Sequence, residues 1–66
     1  MTKIYNTKIY NNKSTTIYLL QTYYILMRKT NNIHLFAYYK YKYNENRDIL
    51  RTEYNIYNVY DYIKEL

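Results

Sequence analysis

No glycine and no proline occur anywhere in this chain of 66 residues. Their absence constrains the fold more than any motif, because glycine enters positive φ without steric cost and proline ends helices and marks edge strands. Every reversal must therefore be built from residues that only tolerate a turn. Asn is the best supplied of these, with nine copies, and its side chain can hydrogen-bond to nearby backbone. Phosphate-cradling loops and dinucleotide turns are excluded in their usual form, since both need glycine where the backbone meets the phosphate.

The chain is also short of reinforcement. It has the length of one small domain, which buries only about 60% of its unfolded surface. Cysteine is absent, so neither a disulfide nor a thiolate metal site can staple it. Thirteen of its apolar residues are Tyr, each with a hydroxyl that must find water or a partner. The aliphatic share is thin, and a partner or self-association is expected to complete the core. Ile, Tyr, Asn and Lys, all encodable with A and T alone, dominate and imply an AT-rich gene. Thr2 to Asn6 recurs unchanged as Thr7 to Asn11. A five-residue period fits neither strand nor helix, so it reads as slippage in the gene.

Three stretches differ in pattern. Residues 1–13, polar and rich in Asn and Lys, read as an N-terminal arm or a third, edge strand. Residues 14–66 read as a single domain, opening with a stretch dense in Ile, Tyr, Thr and Leu, which prefer strands. Asn31 and Asn32 sit at the centre of that stretch and suit a two-residue turn, giving an expected β-hairpin over about 15–43. Its register would bury the pairs Tyr24 with Tyr39, Thr22 with Tyr41 and Leu20 with Tyr43. The opposite face would carry Lys29, Lys40 and Lys42 with Tyr23, Phe36 and Tyr38. A helix is expected over about 46–65, capped by Asn44 or Asn46. Ile49, Ile56, Tyr60 and Ile63 form its apolar stripe, although Tyr54 to Ile63 also alternates like a strand. The expected fold class is α+β, a small two-layer unit in which the helix packs on the hairpin.

Function classes narrow by exclusion. The one Ser, Ser14, and the one His, His34, have no carboxylate near them in sequence, so no catalytic residue is expected and the chain reads as non-enzymatic. A small ribonuclease built from Tyr, Lys, Arg and Glu ranks well below that reading. The acids occur singly, so no metal and no cofactor is expected. The longest uncharged run, Ser14 to Met27, has fourteen residues against the roughly 20 that cross a bilayer. With no secretory leader evident, the expected setting is the cytoplasm or an organelle interior. The same run is β-prone, which points to self-association.

Ten Lys and Arg against five Asp and Glu give a net charge of +5, which favours an acidic partner. Tyr38-Tyr39-Lys40-Tyr41-Lys42-Tyr43 interleaves bases with rings, a pattern suited to phosphate neutralisation and base stacking. Buried Tyr beside solvated Lys explains the alternation equally well. The candidate nucleic-acid-binding residues are Arg28, Lys29, Lys40, Lys42, Tyr23 and Tyr38. Residues 23–53, with Asn31-Asn32, Lys40-Tyr41, Leu50 and Glu53, resemble a small hairpin protein of the large ribosomal subunit over about half the chain. That family's zinc cysteines are absent here, and the C-terminal helix is extra. The resemblance implies an RNA setting and assigns no residue a role. The first reading is thus a small basic protein associating with RNA or a ribonucleoprotein. The alternative is a protein-binding module, a phage-type inhibitor or minor subunit of an assembly, anchored by Ile25, Met27, Phe36 and Tyr38. A reading frame with no selected role is the third.

Overall fold

The computed structural model describes residues 12–66, and every regular element among them is helical. Helix α1 spans Lys13–Lys29, α2 spans Ile33–Tyr54, and a single turn, α3, spans Tyr60–Ile63. The expected α+β unit is therefore overturned. The stretch read as a β-hairpin is instead α1, a turn and the first half of α2. Of the arm read over 1–13, positions 1–11 lie outside the described residues, while Asn12 caps α1 and Lys13 opens it. The helix read over 46–65 starts at Ile33 and breaks after Tyr54, and Asn44 and Asn46 lie inside it rather than capping it.

Asparagine explains why helices form in a segment whose residues favour strands. The Asn12 Oδ1 accepts the Thr15 N–H at 2.8 Å, and the Asn32 Oδ1 accepts those of His34 and Leu35 at 2.8 and 3.0 Å. Each satisfies donors that a helix start otherwise leaves bare. Arg28 and Lys29 occupy the last turn of α1, where cations complement the dipole. Strand preference spans only about 1 kcal/mol per residue and depends on context, so capped, uninterrupted helices outweigh it here.

The reversal does fall at Asn31 and Asn32, joining helices rather than strands. The Thr30 N–H donates to the Leu26 carbonyl at 3.1 Å, and the Thr30 hydroxyl accepts the Asn32 N–H at 3.1 Å. At the far end Asn55 takes the left-handed conformation, φ 59° and ψ 32°. Its N–H donates to the Arg51 carbonyl at 3.2 Å, the bonding of an αL helix stop. That position usually belongs to glycine, and Asn is the residue that replaces it at least cost.

Thr16, Leu20 and Tyr24 recur every four residues along α1. Tyr43, Asn46 and Leu50 recur at spacings of three and four along α2. Both rows are helical stripes, and they meet: Leu20, Leu50 and Thr16 are fully buried, with Asn46 nearly so. Burial leaves their polar atoms bonded, because the Thr16 hydroxyl donates to the Asn12 carbonyl and the Asn46 Nδ2 to the Lys42 carbonyl, both at 2.8 Å. Val59 completes the core, with Ile17, Tyr54, Ile56, Tyr62 and Ile63 packed around it. After Asn55 the chain runs back along α1 toward the turn. Gln21 Nε2 donates to the Tyr62 carbonyl at 2.7 Å and Arg28 Nη1 to the Leu66 carbonyl at 3.1 Å. The returning segment thus covers one flank of the two-helix hairpin.

Candidate nucleic-acid interface

Toward the turn, rings replace the aliphatic core. Tyr23 of α1 lies 6.4 Å from Tyr38 and 6.2 Å from Tyr39 of α2, and Tyr24 lies 5.9 Å from Tyr43. These separations suit edge-on and tilted aromatic pairs. Two flanks result, one bordered by Tyr23 and the other by Tyr24.

The cations divide between them. In a strand Lys40 and Lys42 would share a face, whereas in a helix a two-residue step turns the chain by about 200°. Lys42 goes with Tyr23 and Tyr38, and its Nζ lies 2.9 Å from Glu45. The hydrogen bond and charge of Glu45 raise the Lys42 pKa above its usual value, with smaller support from Tyr23 and Tyr38. Arg28 goes to the other flank, its guanidinium 5.4 Å from the centre of the Tyr24 ring, within range of a cation–π contact. Lys40 stands on the Tyr43 side of α2, and Arg47, seven residues on, falls within about 20° of it. Arg47 is close enough to Tyr43 to oppose the rise in the Tyr43 pKa, which burial drives. Lys29 closes the end of α1, bordering a shallow recess with Ile25, Arg28 and Leu66.

The six residues singled out in the sequence therefore do not form one surface. Tyr23, Tyr38 and Lys42 come together, and Arg28 and Lys40 share the opposite flank. Arg47 completes that second group and escaped notice because it lies outside the Tyr- and Lys-rich run. Its seven-residue spacing from Lys40 is the signal that marks it once a helix is assumed. The apolar anchors of the alternative reading separate too. Phe36 and Tyr38 are exposed, while Ile25 and Met27 are half-buried on α1.

Charge is distributed unevenly along the chain. No carboxylate occurs from Asn12 to Asn44, and the five acids all follow, at Glu45, Asp48, Glu53, Asp61 and Glu65. Three described cations are paired: Lys42 with Glu45, Arg51 with Asp48 at 3.4 Å, and Lys64 with Asp61 at 3.4 Å. Lys13, Lys29, Lys40 and Arg47 have no Asp or Glu at ion-pair distance, while Arg28 Nη1 lies 3.1 Å from a main-chain oxygen of Leu66. Among the described residues no group of His, Asp or Glu could hold a metal ion, and no helix is long and apolar enough to cross a membrane. Comparison of the chain with protein families, with curated proteins and with solved structures finds no match.

Proposed function

We propose that the protein is a small non-catalytic helical hairpin that binds single-stranded RNA through the flank carrying Arg28, Lys40 and Arg47. The observation that supports this reading is that these three cations lie on one side of the hairpin with no Asp or Glu side chain at ion-pair distance, beside Tyr24 and Tyr43. Unpaired exposed cations keep their full charge for phosphate, and binding releases the counterions condensed there. Arg28 is held in place by Tyr24 and by the Leu66 carbonyl, so less side-chain freedom is lost when it meets a phosphate. On this reading the three cations meet backbone phosphate, which fixes position rather than sequence.

The protein-binding reading keeps one supporting observation: Leu26, Ile33, Leu35 and Phe36 are all exposed around the turn. Salt separates the two. Anisotropy of a labelled single-stranded RNA should show affinity falling steeply with salt. Lys40→Ala with Arg47→Ala should flatten the log–log slope by about 1.4, since each single-strand phosphate contact contributes about 0.7. Both side chains are exposed, so the fold should lose no more than about 0.5 kcal/mol from each. Unchanged affinity and unchanged slope in the double variant would remove the RNA reading.

A further inference from the structure

We propose that the other flank of the hairpin, facing away from the returning segment, docks a second copy of this chain. The helical period puts Leu19, Tyr23 and Leu26 of α1 and Leu35, Tyr38 and Ile49 of α2 on that flank, and a groove lined by Leu19, Tyr23, Lys42, Glu45 and Ile49 opens onto it. Leu26 is 37% exposed, Leu35 44% and Tyr38 51%. No described segment of the chain covers them.

Charge identifies the occupant. The charged groups in the middle of this flank are Lys42 and Glu45, paired with each other at 2.9 Å, with Glu53 one turn beyond Ile49. Lys42 against Glu45 and Glu53 leaves one net negative charge there, so the flank offers nothing to phosphate. The pair is, however, complementary to itself. At 100° per residue Tyr38, Lys42, Glu45 and Ile49 fall within about 60° of one another. A two-fold axis crossing α2 between Tyr43 and Asn44 sets two α2 helices antiparallel. It places Lys42 of one copy against Glu45 of the other and Tyr38 against Ile49, each contact made twice, as an isologous interface requires. A few partly exposed apolar side chains and one ion pair per copy make a contact smaller than the roughly 800 Å² per partner of a standard interface. The product is a weak, concentration-dependent dimer.

The test is sedimentation velocity on the full chain from about 10 µM to about 1 mM, a range that brackets weak association. Wild type should pass from monomer to dimer across it. Lys42→Glu puts Glu against Glu across the axis, and Glu45→Lys puts Lys against Lys, so each variant alone should stay monomeric. Mixed in equal amounts, the two regain opposite charges at both contacts and should form a heterodimer. Recovery of association on mixing also shows that both variants are folded, and helical circular dichroism of each alone checks the same point. Wild type that stays monomeric throughout would overturn the proposal, as would variants that dimerise alone or a mixture that does not associate. The RNA reading is unaffected by any of these outcomes, since its contacts lie on the opposite flank.

Discussion

Replacing Asn55 by Gly should stabilise the protein, and replacing it by Ala should destabilise it. Asn55 is the one described residue at positive φ, and it ends α2 while its N–H holds the Arg51 carbonyl at 3.2 Å. An ordinary side chain in that conformation costs roughly 1–2 kcal/mol, with Asn paying less than most. Gly pays none of this, though it gives back part of the gain through a more flexible unfolded chain. The net expectation is a gain of about 0.5 kcal/mol for Asn55→Gly and a loss of about 1 kcal/mol for Asn55→Ala. The difference of about 1.5 kcal/mol corresponds to roughly 6–12 °C in melting temperature for a domain of this size. The order matters more than the size, because inside a continuous helix Ala is favoured over Gly by about 1 kcal/mol. Thermal melts and urea titrations followed at 222 nm, at one low protein concentration, read it directly. A more stable Ala variant would mean that residue 55 sits within a helix, refuting both the break after Tyr54 and the return of the chain along α1.

Two further perturbations test the interior. Leu50→Ala removes a fully buried side chain at a cost of about 2–5 kcal/mol; a domain this small has only a few kcal/mol in reserve, so most of the helical signal should vanish at room temperature, and a cooperative melt close to wild type would contradict the core. Alkaline solution should destabilise the protein, because burial raises the Tyr43 pKa above its ordinary 10.0 and Glu45 raises that of Lys42 above 10.5. Both raised values contribute stability below the unfolded pKa that is lost as pH climbs past it, so urea midpoints should fall above about pH 10, less so in Tyr43→Phe; a flat profile there would count against burial of that ring.

The place of the reversal was legible in the sequence, and its type was not. Asn31 and Asn32 mark a turn because a short amide side chain satisfies local backbone donors, and that chemistry serves a helix cap as well as a hairpin. The 3.6-residue stripes Thr16, Leu20, Tyr24 and Tyr43, Asn46, Leu50 were present, but tyrosines at exposed positions such as Tyr18 and Tyr41 blurred them. A polar Thr and Asn in the buried rows hid them further. Tyr, Thr and Ile invite a strand assignment, and no glycine or proline punctuation was available to contradict it. The helix expected after Asn46 overlaps α2 only as far as Tyr54, since a left-handed Asn leaves a far weaker mark than a glycine would. Among the functional residues, the grouping of Tyr23 with Tyr38 and Lys42 survives the change of fold because the three share a face in the hairpin register and Tyr23 meets Tyr38 between the two helices. Lys40 leaves the group because helical and pleated periods part company after two residues.

The helical period therefore does something the strand reading could not: it sorts the cations by whether they have a partner. Glu45 is the first acid after a run of more than thirty described residues without one, and it falls three residues after Lys42, within reach of its ammonium group. Lys40, two residues earlier, is turned away from that carboxylate and keeps its charge, as does Arg47 on the same side. Glu45 thus cancels Lys42 on the flank beside Tyr23, while the flank beside Tyr24 stays basic. On the proposed assignments the side bearing the pair can approach a copy of itself with Lys42 facing Glu45. A two-fold pairing there leaves the basic sides pointing outward on opposite faces of the dimer, where each can contact phosphate independently.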